Sequence, residues 1–292
     1  MKLAEAVGRI GWLANEKDRI QRVREVRAEV HDKPAQQNQS LLSLLEAGVE
    51  TMIGFESGIP AKVLDLGCRT GSAVAAWQSA GHTVVGVDWE DFGQQIIGDF
   101  TKEKTWDIID SVTEFWADDV RPYDWIHFSP DCSIFSMAGM GGETHFEKRS
   151  GRFVPVSERA IRETEGIKFV LQKIKERKPK LGWVMENPEA LMQKMDFVQD
   201  LHRVRVTYCQ YDNQRRQKPT HFFGQIPYFF SPLACRRGAR CHDRTPRGSR
   251  TGTQGMDKTE AGMIPFALSH AFMVAAFKSN GRSIPTLEEW YA

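Results

Sequence analysis

From Ala61 onward the chain alternates short apolar runs with longer amphipathic stretches, and this alternation restricts the fold more than any other feature. Strand and helix in succession imply a parallel sheet, because parallel neighbours need a crossover long enough to return to the same edge. The candidate strands are Lys62 to Leu66, Thr83 to Val87, Trp125 to Ser129, Trp183 to Met185, Arg203 to Tyr208 and His221 to Gly224. Between them, Ser157 to Arg177 reads as a helix with Ser157 as its N-cap and Ile161, Ile167, Val170 and Ile174 on one apolar face. Such a sheet is covered by helices on both faces.

The flanking segments read differently. Residues 1–32 show helical spacing, with Leu3, Val7, Ile10 and Leu13 followed by Ile20, Val23, Val26 and Val30, and a polar break from Pro34 to Ser40 precedes a second helical pattern from Leu41 to about Phe55. The division expected is therefore an N-terminal helical arm and linker over 1–40, a main α/β domain over 41–230, a small basic segment over 231–261, and a helix with a tail over 262–292 that completes the main domain. The arm either packs on that domain or makes a contact between copies. From Ser231 to Gly255 periodicity is lost while Arg236, Arg237, Arg240, Arg244, Arg247 and Arg250 accumulate against the single acid Asp243. The whole chain carries a formal net charge of only +1, so any polyanion contact must come from this local patch.

Five cysteines, odd in number and scattered, suit free thiols in a reducing cytosol better than a disulfide framework. No signal-peptide pattern and no apolar run of membrane-spanning length stand out, so a soluble cytoplasmic protein without membrane contact is expected. Cys235, Cys241 and His242 match no standard zinc spacing, and no metal is expected.

Two stretches carry chemistry. The first runs Val63-Leu64-Asp65-Leu66-Gly67-Cys68-Arg69-Thr70-Gly71-Ser72, an apolar strand, a glycine-bearing turn and a helix start, which lets backbone approach a bound nucleoside. Asp88 closes the next strand, where a carboxylate can accept both ribose hydroxyls, and Trp89 can cover an adenine face. Spacing alone leaves NAD open, but the second glycine of the dinucleotide fingerprint is here Arg69, and the turn resembles the loop of S-adenosylmethionine-dependent methyltransferases. Asp99 either accepts from an adenine amino group or simply forms a turn.

The second stretch is Ser129-Pro130-Asp131-Cys132-Ser133-Ile134-Phe135-Ser136, followed by Glu186-Asn187-Pro188. On neighbouring parallel strands, Cys132 and Glu186 would emerge together at the carboxyl edge of the sheet. Taken singly, Cys132 also reads as a core thiol and Glu186 as a strand-end cap.

These motifs resemble those of the cytosine-5 DNA methyltransferase family, Pro-Pro-Cys-x-x-Phe-Ser and Glu-Asn-Val. Gln214 to Thr220 resembles the family's Gln-x-Arg-x-Arg segment with Lys218 for the last arginine, Cys209-Gln210-Tyr211 and Lys218-Pro219-Thr220 look like small phage and prophage members, and Gly262-Met263-Ile264-Pro265 is similar to the closing motif without its Asn. The resemblance spans about residues 60–278. It implies a Rossmann-like methyltransferase with a small irregular target-recognition lobe, S-adenosylmethionine as cofactor, and double-stranded DNA with a flipped cytosine as substrate.

The implied roles are these. Cys132 adds to cytosine C6, Glu186 supports protonation at N3, Asn187 holds its loop, and Arg216 orients the base or supports the thiolate. Asp65, Gly67, Cys68, Arg69, Thr70, Gly71, Asp88, Trp89, Asp99, Ser129 and Pro130 line the cofactor site. Ser136, Lys218, Arg236, Arg237 and Arg240 meet DNA, unless the arginine segment is only a solvated loop. Residues 137–151, rich in glycine, form a mobile loop that in the family closes over the base.

Asp131 stands where the family has a second proline, and beside Cys132 it would raise the thiol pKa unless it points away. RNA cytosine-5 or another pyrimidine C5-modifying chemistry, and a catalytically silent DNA-binding paralogue, are the alternatives.

Overall fold

Seven strands form one sheet in the order β3-β2-β1-β4-β7-β9-β8, and a separate hairpin pairs β5 with β6. The computed structural model describes residues 60–117, 123–135, 145–212, 216–236, 239–242, 256 and 258–281. The N-terminal helical patterns, Ser136, Arg237 and most of the arginine-rich segment lie outside these residues. Strands β1 (Lys62–Leu66), β2 (Thr83–Asp88), β3 (Ile96–Ile97), β4 (Trp125–Phe128) and β7 (Gly182–Pro188) run parallel, whereas β9 (Pro219–Gly224) is antiparallel to both β7 and β8 (Arg203–Thr207). The chain is thus a mixed α/β fold around a mostly parallel sheet.

Helices cover both faces because the inner strands are apolar on both. On one face, Trp106 and Ile109 of α2 (Glu103–Ala117) and Ile167, Val170 and Ile174 of α3 (Glu158–Arg177) pack on Leu64, Leu66, Ile126, Phe128 and Met185. On the other, Trp77 of α1 (Ala75–Ser79) and Leu268, Phe272 and Ala276 of the C-terminal helix α5 (Phe266–Ser279) pack on Val63, Trp125, Val184 and Phe222. A short helix α4 (Lys258–Gly262) leads into α5. The Trp77 and Trp125 rings stack with centroids 5.4 Å apart.

The expected strands are all present, and Ser157 caps α3 by accepting from the Ala160 N–H at 3.1 Å. Three expectations need correction. Ile161 is largely exposed, and the neighbouring Ala160 takes the buried position in the core. Part of the stretch read as a mobile loop is the hairpin of β5 (Phe146–Arg149) and β6 (Arg152–Pro155). Its two turn residues, Ser150 and Gly151, both have positive φ (50° and 84°), the mirror-image turn that matches strand twist. Finally, Thr259–Ser279 is long and apolar enough by composition to cross a membrane, a stretch the run-length reading passed over; in the fold most of it is buried, as the helix against β1 and β4.

Strand order reverses beside β1, since β2 and β3 lie to one side and β4 to the other. At such a switch point the loops leaving the carboxyl ends diverge and open a crevice. The loops leaving here carry both stretches singled out in the sequence.

Candidate active site

The turn after β1 is built by backbone contacts that only a glycine permits. Gly67 N donates to Val87 O at 2.9 Å and Ser129 N to Leu66 O at 2.8 Å, drawing the turn against the ends of β2 and β4. A Cβ on Gly67 would lie 2.2 Å from Ser129 O, at a φ of +76°. Asp88 clasps the same turn: its Oδ2 accepts from Arg69 N at 3.0 Å, and its Oδ1 from Trp89 N at 2.8 Å and Glu90 N at 3.4 Å. Three of about four acceptor sites of a carboxylate are then in use, leaving room for one more donor. Trp89 beside it is 68% exposed.

Beneath the turn sits Asp65, fully buried, with neither carboxylate oxygen partnered among the described residues. Burial, reinforced by the charge of Asp88, pushes its pKa up to about 8. Cys68 is buried behind the turn, and its thiol is likewise pushed up, by burial first and then by Asp65 and Asp88. Arg69 reaches across the turn, its guanidinium 5.8 Å from the Phe92 ring. Asp99 accepts from both Thr101 N (2.9 Å) and Thr101 Oγ1 (2.6 Å), which is the turn-forming role. The closing segment meets this region from the far end of the chain, with Ile264 N donating to Ser72 Oγ at 3.0 Å.

Cys132 follows β4 by four residues and is half-buried. Met185 registers with Phe128, so Glu186 rises one residue beyond that level on the neighbouring strand. Burial raises the Cys132 thiol pKa, Glu186 raises it further, and Lys218 opposes them; Asp131 has a weaker effect than either. The reason is geometric. Asp131 turns away, with Oδ1 on Ser133 N (2.9 Å) and Oδ2 on Ser133 Oγ (2.8 Å) and Arg159 (2.9 Å), in a half-exposed cluster.

Glu186 is buried and held by two groups. Tyr208 Oη donates to Glu186 Oε1 at 3.0 Å, and Lys218 Nζ lies 3.6 Å from the same oxygen. The Lys218 ammonium also sits over the Tyr208 ring at 4.6 Å. Lys218, expected on DNA, is only 6% exposed and faces Glu186. Among the described residues, its φ of 24° and that of Arg69 (41°) are the two positive values in non-glycine residues without a helix end or hairpin turn to explain them, and the two residues border this edge. Asn187 is buried with both side-chain polar atoms unpartnered among the described residues.

Arg216, expected near the reacting base, has its donors engaged elsewhere. It donates to Asp212 Oδ2 at 3.2 Å, Glu260 O at 2.6 Å and Met263 O at 2.7 Å, and lies 5.3 Å from the Tyr208 ring. It therefore ties the closing segment to the turn after β8 that carries Tyr208 and Asp212. The sequence reading passed over Tyr208, whose only signal was its position before Cys209-Gln210-Tyr211.

No family model and no curated protein matches the chain. Among solved structures it is similar to the Entamoeba histolytica methyltransferase EhMeth, at 9% identity and a TM-score of 0.40, covering 61% of this chain and 57% of that one. The chain thus matches less than two thirds of that protein's length. The functional reading rests on the residues themselves.

Of the expected DNA-contacting residues, Arg236 and Arg240 are described and exposed on the segment after β9. On that same segment the fold gathers Cys235, Cys241 and His242 against Cys209, with their ligand atoms all within 4.8 Å of one another. Linear spacing hides this grouping, because it is made across two separate elements.

Proposed function

We propose that the chain is an S-adenosylmethionine-dependent DNA (cytosine-5)-methyltransferase with a Rossmann-like catalytic domain, acting on a cytosine turned out of the duplex. The observation that carries this reading is that Cys132 follows β4 while Glu186 stands on the adjacent parallel strand β7, held there by Tyr208 and Lys218. A thiol and a buried, cation-flanked carboxyl suit one heterocycle attacked at C6 and protonated at N3.

The residues around the first turn fit the cofactor: among the described residues Asp65 beneath is unpartnered and Asp88 has one acceptor site open, and Trp89 stands exposed at the rim. When bound, S-adenosylmethionine supplies a methyl group on a sulfonium and leaves as a neutral thioether. Cys132 loses its proton and its Sγ bonds to C6, while Glu186 holds a proton at N3, so that electron density moves to C5. After C5 is alkylated, its proton passes to a solvent base, the C5–C6 double bond re-forms as the Sγ–C6 bond breaks to restore the thiolate, and the N3 proton returns to Glu186. Lys218 favours the thiolate state of Cys132, and Tyr208 fixes the Glu186 carboxyl. Asp131 turned toward Arg159 weighs against the silent-paralogue alternative, because its charge acts on the thiol more weakly than Glu186 or Lys218 does.

Incubation with 5-fluorocytosine DNA and S-adenosylmethionine tests the proposal, since fluorine at C5 blocks the elimination that releases Cys132. A covalent complex that disappears in Cys132→Ala is the expected result. No adduct on DNA, with an adduct on 5-fluorocytosine RNA, would move the reading to RNA; none on either would sink it.

A further inference from the structure

The four side chains grouped beside β8 have their ligand atoms within 4.8 Å of one another, and five of the six pairs approach the spacing of ligands around one ion. Cys209 Sγ lies 3.3 Å from Cys235 Sγ, 3.7 Å from Cys241 Sγ and 3.9 Å from His242 Nδ1, and His242 Nδ1 lies 3.5 Å from both Cys235 and Cys241 Sγ. Ligands about 2.0–2.3 Å from a tetrahedral zinc ion stand roughly 3.4–3.8 Å from one another. The sulfurs are too far apart for a disulfide, which needs about 2.05 Å. We propose that Cys209, Cys235, Cys241 and His242 bind one zinc ion as a structural clasp.

The donor set selects the ion. Three thiolates and an imidazole are soft and borderline ligands that favour zinc over magnesium or calcium, and four protein ligands leave no open position for water or substrate. Outer contacts suit thiolate sulfur: Gln217 Nε2 points to Cys235 Sγ at 3.6 Å and Gln210 Nε2 to Cys209 Sγ at 4.0 Å. Backbone bonds already aim the segment. Thr207 N donates to Leu233 O at 3.1 Å, Cys235 N to Thr207 Oγ1 at 2.8 Å and Leu233 N to Tyr211 Oη at 2.8 Å.

The clasp fastens the arginine-bearing segment to the short turn Tyr208–Gln210. Tyr208, the partner of Glu186, is the immediate neighbour of a zinc ligand. The metal would thus set the position of Arg236 and Arg240 relative to the carboxyl edge without touching it. This inference does not depend on the methyltransferase reading.

Elemental analysis of the purified full chain should find close to one zinc per chain, and cobalt exchanged into the site should show the visible bands of a tetrahedral thiolate complex. Cys241→Ser and His242→Ala should lose the zinc, whereas Cys132→Ala should keep it. Should those variants not fold, the wild-type chain decides: chelator should strip the ion and lower the melting temperature, and zinc but not magnesium should restore it. Zinc retained in folded Cys241→Ser and His242→Ala, or a folded wild-type chain that takes up neither zinc nor cobalt, or one carrying a Cys209–Cys235 disulfide, would overturn the proposal.

Discussion

At the scale of single residues, the site turns on how a buried thiol is made reactive. Burial and Glu186 hold the Cys132 proton in place, and Lys218 is the opposing cation. The thiolate fraction of Cys132 should therefore grow as pH rises above the ordinary cysteine range, and its alkylation by iodoacetamide should accelerate accordingly. Removing the cation in Lys218→Met should slow that alkylation at neutral pH by about tenfold, as expected for loss of one close opposite charge. Arg159→Ala, which removes bonds to the outward-turned Asp131 and to Ser133 Oγ, should change the rate by less than about twofold. Mass-spectrometric rates at Cys132 across pH check both, and equal effects would refute the geometric account. Cys132 and Glu186 are legible because each follows closely on an apolar run. The roles of Tyr208 and Lys218 are not, since nothing in the local sequence tells that a residue beside β8 and one at the start of β9 turn back onto β7.

At the scale of elements, local chemistry was legible wherever it was apolar. Continuous runs such as Val63-Leu64 and Val84-Val85 announce inner strands, and the Ser157 cap announces α3. The hairpin β5–β6 escaped notice because Glu147, Lys148, Arg149 and Arg152 hide its alternation, and two-residue β3 is too short to show any. The metal-ligand cluster escaped because Cys209 stands 26 residues before Cys235, across β9. Two turns now predict different costs for the same substitution. Gly67→Ala forces both a positive φ and a clash with Ser129 O, whereas Gly151→Ala, at a φ of +84°, meets nothing within 4 Å. Gly151→Ala should cost only about 1–2 kcal/mol, the ordinary penalty of a left-handed alanine. Gly67→Ala should cost clearly more and also abolish cofactor binding; urea unfolding and calorimetric titration with S-adenosylmethionine separate the two effects.

At the scale of the whole molecule, α5 joins distant parts of the sheet. Phe272 stacks on Phe230 at 4.0 Å and touches Phe222 and Trp125, so one ring spans β9 and β4. Phe272→Ala should destabilise the fold by about 3–5 kcal/mol, read as a lowered urea midpoint. An unchanged midpoint would mean that the helix is not part of the cooperative core. The same helix finishes the first turn. Ser269 Oγ donates to Ala73 O and accepts from Ala76 N, and Ile264 N reaches Ser72 Oγ, contacts spanning 192 to 196 residues of chain. During synthesis at about 5–20 residues per second, that turn therefore waits on the order of ten seconds or more for its partner. Over that interval the apolar face of β1 and β4 that α5 covers stands open, and the turn after β1 stays unfinished until α5 has left the ribosome.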